Sequence, residues 1–209
     1  MVWYPKISTT KRKTKRLKKI ELGRCNINDH GFYELIPLIL KTEVVILDGN
    51  DLFPLELRIF ARQLKEKVAE AKGVMKLQTL VLSNCSLLDD CLFELSRCIT
   101  HIPNVDLRNN KFTIEGLRAL AKFCRKSDMG KLKSINLRGC GVTSDELEEL
   151  ADVFIKFETL NLAGNSLNGR PGVEEFCRFI DLRHCRLHEQ SKKLIQESCR
   201  KLKIDSKIF

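Results

Sequence analysis

One short pattern recurs along this chain and constrains its fold more than any other feature. Residues 77–87 read L-Q-T-L-V-L-S-N-C-S-L, with apolar residues at Leu77, Leu80, Leu82 and Leu87 and a cysteine between the last two. The same spacing, L-x-x-L-x-L-x-x-N/C-x-L, occurs about seven times, at residues 17–27, 42–52, 77–87, 102–112, 132–142, 157–167 and 177–187. Units of this length cannot bury an apolar face alone, so the pattern predicts an elongated stack of repeats.

The segments between the repeats carry the marks of helices. After the first repeat, Phe32, Leu35 and Leu38 recur three residues apart, which predicts one short helix. Pro54 suits the start of the next helix, where its missing N–H is tolerated. Further helix starts are predicted at Asp89 or Asp90, at Thr113, and at Thr143 with Glu146 as a capping box. The strands are therefore expected to be followed by helical segments, except after the sixth repeat, where the segment is too short and too rich in turn residues for a full helix.

The ninth position of the pattern alternates between two residue types. It is occupied in turn by Cys25, Asn50, Cys85, Asn110, Cys140, Asn165 and Cys185. This position requires a side chain that turns inward and bonds the backbone of the loop leaving the strand. An asparagine amide can donate and accept there, and a thiol fits a similar volume as a weaker donor.

This alternation resembles the ribonuclease-inhibitor-like class of leucine-rich repeats, as in ribonuclease inhibitor and the C-terminal regions of NOD-like receptors. The resemblance covers residues 17 to about 202. It implies an α/β solenoid, curved, with about seven repeats, parallel strands on the concave face and helices on the convex face. The chain then divides into a basic arm (1–16), the repeats (17–187), and a C-terminal capping helix and tail (188–209).

The charge is unevenly distributed. The net charge is +10, but residues 1–19 contain eight basic and no acidic side chains, which leaves only +2 for the rest of the chain. The arm could be a solubility tail, a nuclear-import signal or a contact with nucleic-acid phosphates. Its candidate residues are Lys11, Arg12, Lys13, Lys15, Arg16, Lys18 and Lys19.

The residues between the core leucines face the opposite side of each strand, because side chains alternate. Three of them, Val44, Ile46 and Val81, are apolar at positions that should meet solvent. Further along, the same side is polar, with Asp106, Arg108, Asn136, Arg138, Asn161, Asp181 and Arg183. These ten residues are the candidate partner-binding set. The alternative interpretation is a solvated sheet face with cross-strand salt pairs.

The residues do not favour catalysis. The chain contains no P-loop and no G-x-S-x-G motif, so we expect no enzyme, no cofactor and no small-molecule substrate. His184 and His188 lie near Cys177 and Cys185, but both cysteines fit the repeat pattern, so no metal site is expected either. Nine cysteines, an odd number, favour reduced thiols in the cytoplasm or nucleus. We see no membrane-spanning run and no secretory signal.

Three functions remain open on this basis. The first is a non-enzymatic scaffold that binds a protein partner through the concave face. The second is a subunit of a ribonucleoprotein or other large assembly, with the basic arm on RNA or another nucleic acid. The third, by resemblance of fold, is a GTPase-activating protein of the Ran-activator type. The near-neutral body contrasts with the acidic ribonuclease inhibitor and argues against ribonuclease inhibition.

Overall fold

The computed structural model describes most of the chain from residue 17 onward. The described residues are 17–70, 76–154, 156–167, 179–181, 183, 185, 189, 193, 197 and 205–207, and for 147–148, 179–181 and 205–207 only the backbone is described. The arm at residues 1–16 lies outside them.

The strands form one parallel sheet in which spatial order equals sequence order. Each strand has three residues, and they are β1 (Lys19–Glu21), β2 (Val44–Ile46), β3 (Thr79–Val81), β4 (Asn104–Asp106), β5 (Ser134–Asn136), β6 (Thr159–Asn161), β7 (Phe179–Asp181) and β8 (Asp205–Lys207). Each strand pairs with the next, as expected when every repeat contacts only its neighbours.

Helices connect the first six strands. They are α1 (Asp29–Ile39), α2 (Pro54–Glu70), α3 (Asp89–Ile99), α4 (Ile114–Lys126), α5 (Ser144–Glu149) and α6 (Ala151–Phe154). Adjacent strands are about 4.8 Å apart, whereas a helix with its side chains is about 10 Å across, so the stack bends with the sheet on its inner side. The predicted α/β solenoid is confirmed.

Each of the strands β1 to β6 sends its middle residue into the core. Ile20, Val45, Leu80, Val105, Ile135 and Leu160 are 0–6% exposed. The first and third residues of these six strands therefore lie on the opposite, concave face. Because the strands pair in register, these residues form two continuous columns across the sheet.

Each alternating asparagine joins two repeats. The buried Asn110 Oδ1 accepts hydrogen bonds from the N–H groups of Cys85 and Leu87, at 3.0 and 3.1 Å. Its Nδ2 donates to the carbonyls of Leu82 and Leu107, at 2.8 and 2.7 Å. Asn50 and Asn165 make the same four bonds to their own surroundings. One side chain thus satisfies four backbone groups that would otherwise be buried without partners.

The alternating cysteines make the complementary bond to the preceding asparagine repeat. The Cys85 thiol donates to the Leu47 carbonyl at 3.3 Å, and the Cys140 thiol donates to the Leu107 carbonyl at 3.1 Å. Cys25 stands in the first repeat and is exposed, and its thiol donates to the carbonyl of Gly23 in its own repeat. The predicted alternation therefore has a structural basis in hydrogen bonding along the solenoid.

Local features of three helices bear on the sequence-based predictions. Leu38 is 41% exposed, and the core side of α1 is formed by Phe32, Ile36 and Ile39, because a helix repeats every 3.6 residues rather than every three. α3 has Leu88 at its N-cap, without a side-chain bond, so neither Asp89 nor Asp90 caps it. The prediction for α4 is confirmed, since Thr113 caps it.

The C-terminal region contains a strand that the sequence pattern did not predict. β8 pairs with β7 in parallel, with Asp205 opposite Phe179 and Lys207 opposite Asp181. Between these strands, Glu189, Lys193 and Glu197 are helical and exposed. Within the described part of the chain, no helix is both long and apolar enough to cross a bilayer.

Candidate functional site

The concave face carries an apolar patch where neighbouring strands usually present polar side chains. We use the term apolar patch for Val44, Ile46 and Val81, which are all partly exposed. Val44 pairs with Thr79, and Ile46 pairs with Val81, so the patch is continuous across β2 and β3. It is flanked by Glu21 on β1, whose carboxylate lies 2.6 Å from the Lys19 ammonium.

The polar residues of the next three strands have a local role as well as an exposed position. Asp106 Oδ1 accepts a hydrogen bond from the N–H of Arg108 at 3.0 Å. Asn136 Oδ1 accepts a hydrogen bond from the N–H of Arg138 at 3.1 Å, and Asn161 Oδ1 accepts one from the N–H of Ala163 at 3.0 Å. These short side chains stabilise the turn leaving their own strands. The aliphatic side chains of Ile46 and Val81 hold the same column positions and cannot make this bond.

The arginines of the concave face differ in their pairing. Arg108 lies 3.6 Å from the Asp106 carboxylate and remains 45% exposed. Arg138 is exposed, and its guanidinium forms no ion pair with any described residue. Arg183 is partly exposed and follows β7, where register places Asp181 beside Asn161. The structure thus brings the nine predicted residues whose side chains it describes to one side of the sheet, with the backbone of Asp181 beside that of Asn161. Among the described residues, no acidic group pairs with Arg138, which leaves its guanidinium available to one.

Two residues of the same side are not accessible. Ser83 is 0% exposed and Ala163 is 2% exposed, although their column should have been open to solvent. Both are small and stand where neighbouring repeats carry larger side chains, Asp48 and Arg108 on the two sides of Ser83. The Ser83 hydroxyl is buried, and no described residue forms a hydrogen bond with it.

Sequence reasoning also missed exposed apolar residues at the starts of two helices. Phe53, directly before α2, is 52% exposed, and Leu88, at the N-cap of α3, is 58% exposed. The corresponding position of α4 is the polar cap Thr113. The signal in the sequence is an apolar residue at a position where an N-cap is expected. Such a residue cannot make the side-chain hydrogen bond of an N-cap, which contributes about 1 kcal/mol to stability. Both belong to the repeats that carry the apolar patch.

The buried cysteines are structural thiols rather than nucleophiles or ligands. Burial raises the pKa of Cys85 to about 11 and the pKa of Cys140 to about 12. Thiolates are the reactive and metal-binding form, so these side chains are inert at neutral pH. Cys185 donates to the Leu162 carbonyl at 2.9 Å, while Cys177, His184 and His188 lie outside the described residues. The described residues include no cluster of three potential metal ligands.

The basic arm is represented by only two of its candidate residues. Lys18 is exposed, and Lys19 belongs to β1, where it pairs with Glu21. The other five lie outside the described residues and are Lys11, Arg12, Lys13, Lys15 and Arg16.

Comparison with known proteins agrees with this architecture. No protein-family model matches the chain. It is 32% identical over 117 residues to mouse (Mus musculus) NACHT, LRR and PYD domains-containing protein 4C, a match that covers 53% of this chain and 12% of that protein. It is 24% identical over 184 residues to mouse ribonuclease inhibitor, which covers 83% of this chain and 38% of the inhibitor. The chain is thus distantly related to ribonuclease inhibitor and to the leucine-rich-repeat region of the mouse 4C protein, and its fold is that of a leucine-rich-repeat solenoid.

One solved structure to which this chain is similar is the tropomodulin C-terminal domain, from a structural genomics study of Caenorhabditis elegans. The two sequences are 8% identical, and the TM-score between the two structures is 0.43. That comparison covers 90% of this chain and 84% of the other, and at this score it carries no functional argument. The leucine-rich-repeat chain spans well under half the length of either mouse relative, so the activities of those whole proteins do not transfer to it directly.

Proposed function

We propose that this protein is a non-enzymatic interaction scaffold that binds a protein partner through the concave face of its repeats. The observation that carries this proposal is the apolar patch. Val44, Ile46 and Val81 remain partly exposed, and Ile46 and Val81 stand in the column where the following strands place polar residues with a turn-stabilising role. Apolar side chains at such positions gain free energy only when another surface covers them.

The polar half of the face supports the same proposal. Protein interfaces commonly combine an apolar centre with a polar rim, and arginine is enriched among the residues that dominate binding. Arg138 supplies a guanidinium that no described residue pairs with and that is suited to a bidentate contact with a carboxylate. The partner is therefore expected to present an apolar side chain beside an acidic one.

The buried cysteines of this protein act as hydrogen-bond donors in their thiol form. We therefore propose that the protein works in a reducing compartment, the cytoplasm or the nucleus.

The experiment is affinity capture from source cells followed by titration of the captured partner against variants. Val81→Asn is the most informative substitution, because Asn136 and Asn161 already occupy the same column. Its side chain can bond the backbone two residues on, as theirs do, so the fold should be kept while the patch loses its centre. We expect at least about tenfold weaker binding, corresponding to roughly 1.4 kcal/mol.

Arg138→Glu tests the polar half and should weaken binding by a similar factor. Lys122→Glu, on the opposite side of the solenoid in α4, is the matched control and should leave affinity unchanged. Equal affinities for the wild type, Val81→Asn and Arg138→Glu would contradict the proposal.

A second candidate function rests on the eight basic residues among positions 1–19. If the arm contacts nucleic acid, affinity for an RNA probe should fall steeply with salt, and removal of residues 1–16 should abolish it. If the concave face alone is functional, the partners captured with and without the arm should be the same. No feature of the described residues favours the GTPase-activating alternative.

A further inference from the structure

A second candidate site lies on the helical side of the molecule, away from the sheet. We call it the α2/α3 groove, and it has a volume of about 520 Å³. Its lining combines apolar and cationic side chains, namely Leu55, Ile59, Ala61, Arg58, Arg62, Lys65 and Arg97. None of these lining residues, all from the described part of the chain, is acidic.

The cations of α2 lie on one side of that helix. Arg58, Arg62 and Lys65 are spaced by four and three residues, which places them in one row on the helix surface. All three are exposed, and none forms an ion pair with any other described residue. Like charges at this spacing destabilise a helix slightly, so this row of cations does not stabilise α2 itself.

The corresponding cations of α4 behave differently. Arg118 follows the buried Leu117 as Arg58 follows the buried Leu57, yet Arg118 pairs with Glu149 at 2.6 Å. Arg125 of α4, which corresponds to Lys65, pairs with Asp152 at 2.6 Å. Helices α5 and α6 therefore neutralise two of the α4 cations, Arg118 and Arg125. The helix that follows α2 instead adds a cation to the groove, Arg97.

Two neighbours define the electrostatics of the groove further. Glu94 pairs with Arg97 at 3.8 Å, and its side chain is 14% exposed against 44% for that of the arginine. The pKa of His101 is lowered by burial and by the positive charges of Lys65 and Lys131. Arg97 is therefore partly compensated by Glu94, whereas Arg58, Arg62 and Lys65 form no ion pair with another described residue and give the groove a positive potential.

We propose that the α2/α3 groove binds an acidic amphipathic segment of a protein partner. The row of cations would meet carboxylates, and the apolar floor formed by Leu55, which is 52% exposed, and Ile59 would receive an aliphatic side chain. An amphipathic helix laid in a groove is a common mode of peptide recognition. Nucleic acid is the less favoured ligand, because phosphates gain nothing from an apolar floor and the lining offers no aromatic side chain for a base to stack on.

The test uses the full-length protein and three labelled probes in an anisotropy titration. The first probe is a peptide with Glu and Leu at helical spacing, so that carboxylates and leucines fall on adjacent sides. The second has the same composition in scrambled order, and the third is a single-stranded oligonucleotide of equal charge. The proposal expects the amphipathic peptide to bind at least about tenfold more tightly than the scrambled one.

Arg62→Glu should weaken binding of the amphipathic peptide by about tenfold or more, through loss of one charged contact and gain of a repulsion. Lys122→Glu is the matched control, because Lys122 follows Ala121 in α4 as Arg62 follows Ala61 in α2, and the change in net charge is identical. Leu55→Gln should weaken the amphipathic peptide but not the oligonucleotide. Thermal midpoints of the three variants, measured by circular dichroism, should match that of the wild type.

Three results would overturn the proposal. Equal binding of amphipathic and scrambled peptides would show simple attraction to a basic protein. Equal losses for Arg62→Glu and Lys122→Glu would place the binding elsewhere, including the basic arm. Tighter binding of the oligonucleotide, with Arg62→Glu weakening it and Leu55→Gln without effect on any probe, would identify nucleic acid as the ligand of the groove.

Discussion

Substitution of Asn110 by alanine should be among the most destabilising changes in the described part of this protein. Its side chain is 2% exposed and makes four hydrogen bonds, all to backbone groups. At about 0.5–1.5 kcal/mol each, the four bonds sum to roughly 2–6 kcal/mol. We expect Asn110→Ala to lower the free energy of unfolding by about 4 kcal/mol, a large part of the 5–15 kcal/mol typical of a domain.

Two further variants turn this prediction into a graded series. Asn50→Ala should cost about 2 kcal/mol, because two of its four bonds are to the N–H groups of Cys25 and Ile27, which lie near solvent and can bond water instead. Cys140→Ala should cost about 1 kcal/mol, since a thiol is a weak donor. Equilibrium urea unfolding, followed by circular dichroism, measures all three.

The order of the three losses is the test. Asn110→Ala would refute the reasoning if it lowered the free energy of unfolding by less than about 1 kcal/mol, or by no more than Cys140→Ala does. The backbone groups that Asn110 bonds would then not depend on its side chain.

Other consequences concern thiols, pH and one glycine. Burial raises the pKa of four thiols well above the ordinary value, those of Cys85, Cys98, Cys124 and Cys140. Iodoacetamide applied to the folded protein at pH 8 should therefore modify Cys25 and spare these four, as peptide mass spectrometry would show; early modification of Cys98 would contradict this. Because the neutral thiol is favoured in the folded state, stability should be intact below pH 9 and fall as pH rises from 9 to 12, and a flat urea midpoint over that range would count against buried thiols. Gly130→Ala should lower stability by more than about 1 kcal/mol in the same unfolding assay, because Gly130 has φ +56° and an added Cβ would lie 2.5 Å from the Thr100 carbonyl oxygen; a neutral effect would contradict that geometry.

The repeat register could be predicted because two independent signals agree on it. The apolar period of two fixes which side of a strand is buried, and the asparagine or cysteine at the ninth position fixes where the strand ends. Together they placed Val44, Ile46 and Val81 on the concave face, where the structure has them. Exposure within that face could not be predicted in the same way. Ser83 is buried because its neighbours in space are larger, and those neighbours are one repeat away in sequence.

The features that sequence reasoning missed depend on contacts between repeats. β8 has the sequence Asp-Ser-Lys, which has low strand propensity, and it is a strand because β7 offers an unpaired edge. Asp89 was a plausible cap for α3, yet its carboxylate bonds Thr113 of the next repeat, at 2.9 Å to the backbone and 2.5 Å to the hydroxyl. The α2/α3 groove could not be predicted for the same reason, because the sequence does not show which cations pair with acidic residues of a neighbouring helix.

Site-specific photocrosslinking tests the proposed binding surface most directly. A photoreactive residue in place of Thr79, on the concave face beside Val44, is compared with one in place of Lys122 on the opposite side of the solenoid. If the concave face binds the partner, the first position should form a crosslink to it, and Val81→Asn should abolish that crosslink. A partner crosslinked from Lys122 but not from Thr79 would contradict the account.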